Sequence, residues 1–212
     1  MLDTKVILFN GPKLCGKDTA INHLEYIYTE DGISKRECKD HLHKLTQLFF
    51  DVPSGLYWEL YTNRETKEQP REEFKITLDW ADYLDLRSFV GEVQMDGLGF
   101  PKECLLSIRQ AMIYVSEVIC KPRFGQDCFG KARANSITDD LNVVVAGSCG
   151  FVEEIPPLLD VVGKDNILLV RLHREGYGFE GDSRGYIEDK EVPFKTIDVY
   201  NNGTEEEFLV RG

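Results

Sequence analysis

The chain has no pair of cysteines in Cys-x-x-Cys spacing, only four histidines, no excess of positive charge and no apolar stretch approaching a membrane span. Each absence closes off a class of function. The six cysteines, Cys15, Cys38, Cys104, Cys120, Cys128 and Cys149, are scattered, so free thiols are expected, with neither a zinc site nor a disulfide scaffold. The 25 Lys and Arg against 37 Asp and Glu leave a formal net charge of −12, which opposes binding to a nucleic acid polymer or an anionic membrane. The opening MLDTKVILFNG reads as a core strand with no basic leader, so a cytoplasmic protein is expected. Internal repeats and low-complexity tracts are also missing. At 212 residues one sizeable α/β domain with a small lobe is the expected organisation.

What is present begins at Gly11. The run GPKLCGKDT, Gly11 to Thr19, follows the apolar Val6 to Phe9 and precedes a helical pattern over Ala20 to Tyr28. It matches the phosphate-binding pattern Gly-x-x-x-x-Gly-Lys in the strand-to-helix setting that pattern requires. Gly11 and Gly16 permit backbone angles that turn successive N–H groups inward around an anion, at the positive end of the following helix. Lys17 adds a point charge that follows the terminal phosphate oxygens during transfer, which makes it the first catalytic candidate. The position after the lysine is Asp18, with the hydroxyl one place later at Thr19. Asp18 is expected either to face magnesium through water or to cap backbone groups of the loop. Cys15 lies inside the loop, where alkylation would block the site. The bland alternative for the whole run is an ordinary glycine turn.

Strands are expected at Lys5 to Phe9, Leu141 to Ala146, Asn166 to Leu172 and Lys195 to Tyr200; the middle two are continuously apolar, as doubly covered parallel strands are. Helices are expected at Lys17 to Tyr28, Lys39 to Phe50, Pro101 to Cys120, Val152 to Leu159 and Glu205 to Leu209. The segment from Val52 to Phe100 is charged and aromatic without a clear sheet strand, and reads as a lobe over the cleft. An α/β fold with a parallel sheet and helices on both faces follows.

A guanine-reading Asn-Lys-x-Asp is missing, as is an apolar strand ending in Asp, since the best candidate reads VVVAG at Val143 to Gly147. A signalling GTPase and a motor or transport ATPase are therefore disfavoured. Cations recur downstream of the loop at Arg36, Lys39, Arg64, Lys67, Arg109, Arg123, Arg171 and Arg174. Each alone reads as surface charge; as a set they suggest a second anionic substrate.

The order of motifs resembles the deoxynucleoside monophosphate kinases of tailed bacteriophages, within the P-loop nucleoside monophosphate kinase group. GKDT at Gly16 to Thr19 is similar to that family's form of the loop. The similarity continues through KDHLHKLTQLF at Lys39 to Phe49, YTNRETKEQP at Tyr61 to Pro70, and SIRQAMIYVSEVICKPRFGQDCFG at Ser107 to Gly130. It ends with VRLHREG at Val170 to Gly176, DSR at Asp182 to Arg184 and IDVYNNGTEEEF at Ile197 to Phe208. Two departures stand out. The family's Asp-x-Arg after its third strand is replaced by AGSCGFVEE at Ala146 to Glu154, where Glu153 or Glu154 either replaces the acid or starts a helix. The family's Asp-Ser-His is DSR here.

The resemblance implies a P-loop kinase domain over residues 1–212, with a substrate-binding and lid region inserted at about 52–100 and lid residues near 121–135. It implies transfer of the γ-phosphoryl group of ATP, with magnesium, to a deoxynucleoside monophosphate, in the host cytoplasm if the protein is phage-encoded. ATP would meet Gly11, Lys13, Cys15, Gly16, Lys17, Asp18 and Thr19, with magnesium at Asp18 and Thr19. The monophosphate would meet Lys13, Lys39, Arg64, Arg109, Ser116 and Asp127, while Arg109 and the lid residue Arg123 would join Lys17 in catalysis. Monomer and homodimer are both open, and neither a nucleic acid polymer nor a membrane is an expected partner. The alternative is a P-loop regulatory module or NTPase without efficient phosphoryl transfer.

Overall fold

The computed structural model describes residues 1–28, 32–95, 99–147, 149–180 and 184–211. Its elements begin with β1 (Lys5–Asn10), α1 (Lys17–Ile27), β2 (Ile33–Lys35) and α2 (Cys38–Phe49). There follow α3 (Ser54–Thr62), α4 (Arg64–Lys67), β3 (Lys75–Leu78), α5 (Trp80–Val90), β4 (Gln94–Met95) and β5 (Lys102–Leu105). A long helix then runs as α6 (Ile108–Ile113), a π-helical stretch (Tyr114–Cys120) and α7 (Lys121–Phe124). The chain ends with α8 (Cys128–Ala134), β6 (Val143–Ala146), α9 (Pro156–Val162), β7 (Ile167–His173), β8 (Lys195–Tyr200) and α10 (Glu205–Arg211). These elements fall into two compact units, Met1–Lys39 with Phe129–Gly212, and Asp40–Cys128.

The first unit is the expected α/β structure of P-loop kinase type. Its five strands lie in the order β2-β6-β1-β7-β8 and every neighbouring pair is parallel. Because side chains alternate across a strand, the sheet has two apolar faces. Val6, Leu8, Val144, Ala146, Ile167 and Leu169 point into one core with Leu158 and Val162 of α9 and Ala134 of α8. Phe9, Val145, Val170 and Leu172 point into the other, with Ile21 of α1 and Phe208 of α10. Helices on both faces explain why the central strands read as unbroken apolar runs.

The second unit corrects several sequence expectations. Val52 to Phe100 does contain sheet strands: β3 and β4 both pair antiparallel with β5. With four, two and four residues, each bearing polar side chains, they are too short to produce a readable alternation. The helix expected from Pro101 begins instead at Ile108, and Lys102–Leu105 is strand β5. Ser107 sets that boundary, because its hydroxyl accepts from Gln110 N–H while the Gln110 side chain accepts from Ser107 N–H, a reciprocal cap. Around Phe74, Tyr57, Leu78, Leu86 and Leu106 this unit has its own buried core. In the first unit, the helix expected over Val152 to Leu159 is a 3-10 turn, Val152–Glu154, followed by α9. Pro156 and Pro157 account for the break, since proline fits the first turn of a helix but lacks the N–H to continue one. β2 was not anticipated, its ISK being too short to stand out.

Leu169 is fully buried in the middle of β7. Leu169→Ala is expected to destabilise the protein by about 2–5 kcal/mol, read as a lowered urea midpoint with unchanged slope; a midpoint within error of wild type would show that this strand is not central to the core.

Candidate functional site

The loop between β1 and α1 is shaped by close contacts rather than by glycine content alone. Gly16 takes φ 106°, left-handed, at the start of the eleven-residue α1. A Cβ there would lie 2.5 Å from Asn201 Nδ2. Gly11 has no such angle, but a Cβ on it would meet Leu172 O at 2.6 Å and Cys15 Sγ at 2.8 Å. One glycine supplies backbone freedom, the other supplies room.

Distant residues hold the loop from outside. Asn201, just past β8, donates from Nδ2 to Cys15 O at 2.9 Å. Arg174, just past β7, donates to Leu14 O at 3.0 Å. Asn10, at the end of β1, donates to Cys149 O and Gly185 O, each at 3.0 Å, and accepts from Ile187 N–H at 3.0 Å. Lys17 folds its ammonium onto Gly11 O at 2.7 Å and Pro12 O at 2.6 Å, with Cys15 Sγ at 3.6 Å. A cleft of about 340 Å³ opens here, lined by Leu14, Gly16, Lys17, Asp18 and Thr19 on the loop side, and by Arg174, Tyr177, Asn201 and Phe208 opposite. Arg174 lies 5.0 Å from the centre of the Tyr177 ring.

The expected loop residues Gly11, Lys13, Cys15, Gly16, Lys17, Asp18 and Thr19 thus sit together in the first unit. Lys13 and Asp18 are exposed, Lys17 and Thr19 half-buried. Gly16 at the N-cap has no side chain to offer α1, and Asp18 stands in the helix's first turn. Cys15 is completely buried, which overturns its reading as a thiol open to alkylation: its side chain fills the space under Gly11. Lys39 is in the first turn of α2. Tyr177 went unremarked in the sequence, and Asn201 and Phe208 stood out only as part of IDVYNNGTEEEF, because nothing in their spacing ties them to a loop so far away. Asp182, Ser183 and Ser148 lie outside the described residues.

Arg64, Arg109, Ser116, Arg123 and Asp127 belong to the second unit. Arg64 is exposed at the start of α4, which Asn63 caps by accepting from Glu65 N–H. Arg109 pairs with Glu68 at 3.3 Å, bringing α6 against the stretch that carries Arg64. Ser116 is buried and donates to Glu117 Oε1 at 2.8 Å, and Glu117 pairs with Lys121. Arg123 donates to Val118 O and Ile119 O of its own helix. Asp127 is half-buried.

Arg171 leaves the set of cations available to an anion. It grips Asp198 at 2.9 and 2.7 Å and Asp189 at 2.9 Å. His173 Nε2 lies 2.6 Å from Asp198. The hydrogen bonds from Arg171, opposed by partial burial and aided by His173, hold the Asp198 carboxyl below the ordinary carboxylate range. Arg133 is fully buried and donates to Glu154 O at 3.3 Å. Burial pushes the Cys38 thiol far above its usual range and Cys149 up to about 12, more than Arg133 lowers them. Burial works against the charge of Arg133, but Cys38, Cys149, Glu154 and Glu37 outweigh it and hold its pKa above the ordinary value. Both thiols are protonated at neutral pH.

Among the described residues no three His, Cys, Asp or Glu side chains form a ready metal cluster.

Five of the six cysteines are buried and Cys128 is not. Iodoacetamide at pH 8 is expected to label Cys128 first in the folded protein, read by peptide mass spectrometry; rapid labelling of Cys15 would contradict the loop packing. A depressed folded-state pKa at Asp198 means that its contribution is complete above the unfolded value of about 4 and is lost as pH falls through the folded value. Asp198→Asn is expected to lower the urea midpoint at pH 6 and to narrow the gap to wild type as pH falls towards 2. A gap that stays constant with pH would count against the pairing. No protein-family model matches the chain, and no curated protein matches it.

Proposed function

We propose that the protein is a nucleoside monophosphate kinase that transfers the γ-phosphoryl group of ATP to a deoxynucleoside monophosphate. The observation that carries this reading is the loop itself. Gly16 opens α1 in a left-handed conformation, and Lys17 holds its ammonium over the carbonyls of Gly11 and Pro12, at the carboxyl end of a central parallel strand. Loop N–H groups and a helix N-terminus at that edge suit a polyphosphate.

In the transfer, an oxygen of the acceptor phosphate bonds to the γ-phosphorus while the bond to the bridging oxygen of ADP breaks, leaving ADP and a deoxynucleoside diphosphate. Little covalent chemistry falls to the protein; alignment and charge neutralisation do the work. Lys17 would leave its carbonyl partners for the phosphate oxygens. Arg64 and Arg109 are assigned to the acceptor and Arg123 to the lid. Magnesium, when bound at Asp18 and Thr19, would supply charge screening of the β- and γ-phosphates. The alternative, a nucleotide-binding module or NTPase without efficient transfer, is favoured by the glycine that follows β6.

The test is ADP formation from ATP and magnesium with each of the four deoxynucleoside monophosphates in turn, beside a blank without acceptor. Turnover is expected to require one or more monophosphates and to vanish in Lys17→Ala. Arg64→Ala is expected to raise the KM for the monophosphate about tenfold or more, the loss of a charge-assisted hydrogen bond, with a smaller effect on ATP. Hydrolysis that proceeds equally well without acceptor would remove the kinase reading.

A further inference from the structure

The acid missing from the end of β6 has a counterpart one strand away. β6 lies between β1 and β2 and runs on into Gly147, the place where a strand-end Asp would stand. β2 runs on towards Glu37, which is buried and accepts from Gly147 N–H through Oε1 at 2.6 Å. Lys35 lies 4.0 Å from the same oxygen. A Cβ at Gly147 would sit 2.7 Å from Ile21 Cδ1, 3.3 Å from Glu37 Oε1 and 4.0 Å from Asp18 Oδ1. The space that an acid on β6 would use is therefore filled by Glu37 from one side and by α1 from the other. The carboxylates of Glu37 and Asp18 converge on one point beside the loop.

A hydrogen bond to Gly147 does not require a charge, since a glutamine amide oxygen would accept it equally well. Burying a carboxylate is costly unless its charge is used or balanced. Arg133 is fully buried, its Nε and Nη1 have no hydrogen-bond partner, and Cys38, Cys149 and Glu154 act on it more strongly than Glu37 does.

We propose that Glu37 is a positioning residue for the hydrated magnesium ion of a bound triphosphate, supplying from β2 the carboxylate that other phosphate-loop proteins carry at the end of the neighbouring strand. The inference rests on the ATP-binding reading above. It accounts for Gly147 as the residue that makes room, and it pairs Glu37 with Asp18 as the one or two carboxylates magnesium needs beside phosphate.

Calorimetric titration of ATP, with magnesium and separately with EDTA, into wild type, Glu37→Gln and Glu37→Asp tests the assignment, with thermal midpoints read alongside. Wild type is expected to bind ATP more tightly with magnesium. Glu37→Gln is expected to lose about tenfold or more in magnesium–ATP affinity, as outer-shell changes do, while keeping its metal-free affinity. Glu37→Asp, which retains the charge on a shorter arm, is expected to fall between them, and it carries the comparison if the glutamine variant does not fold. Equal loss of metal-free and metal-bound affinity would reduce Glu37 to a cap on Gly147 and overturn the proposal, as would unchanged magnesium–ATP binding. Wild type that binds no ATP under either condition would overturn the nucleotide reading itself, and this inference with it.

Discussion

The carboxyl ends of β6, β1, β7 and β8 emerge on one edge of the sheet because all four run parallel, and the loop before α1 depends on that alignment. An antiparallel neighbour would bring its amino end to this edge and could not deliver Asn201, Arg174 or the Cys149 carbonyl to their positions. Parallel strands in turn require crossovers and burial of both faces. The two apolar cores of the first unit, and α1, α8, α9 and α10 that complete them, are thus conditions for the loop as well as for stability.

Within that frame, the loop is specified by contacts at atomic tolerance. Gly11 is excluded from bearing a side chain by a carbonyl on β7, and Gly16 by the amide of Asn201. Asn10 satisfies three backbone groups from two further segments. Buried polar groups of this kind fix one arrangement because leaving any of them unpaired costs more than the bond gains. The same logic places the Glu37 carboxylate on the Gly147 N–H.

How much of this could be read from the amino acids follows from the range of the interactions. The strand, glycine pattern and helix at Val6 to Tyr28 are local, so the loop was legible. β6 and β7 were legible because their residues are continuously apolar, and β8 because it is rich in β-branched residues. β3, β4 and β5 were hidden because they are short and carry polar residues, and the start of α6 by a cap that competes with the proline upstream. Asn201 and Glu37 were invisible for a different reason. Each acts on a group more than a hundred residues away in the chain, and neither residue type is unusual where it stands. Cys15 illustrates the converse: its position in the motif was evident, but its burial under Gly11 was not, because burial depends on β7.

Asn201 has a consequence for the order in which the molecule is made. It reaches across 186 positions to Cys15 O, and Arg174 across 160 to Leu14 O. During synthesis the loop leaves the ribosome early and its clasp late. A nascent chain that stops short of β8 carries the loop's residues without the amide that holds them. Local sequence folds quickly and distant pairing slowly, so the loop acquires its final shape only after β8 has been made.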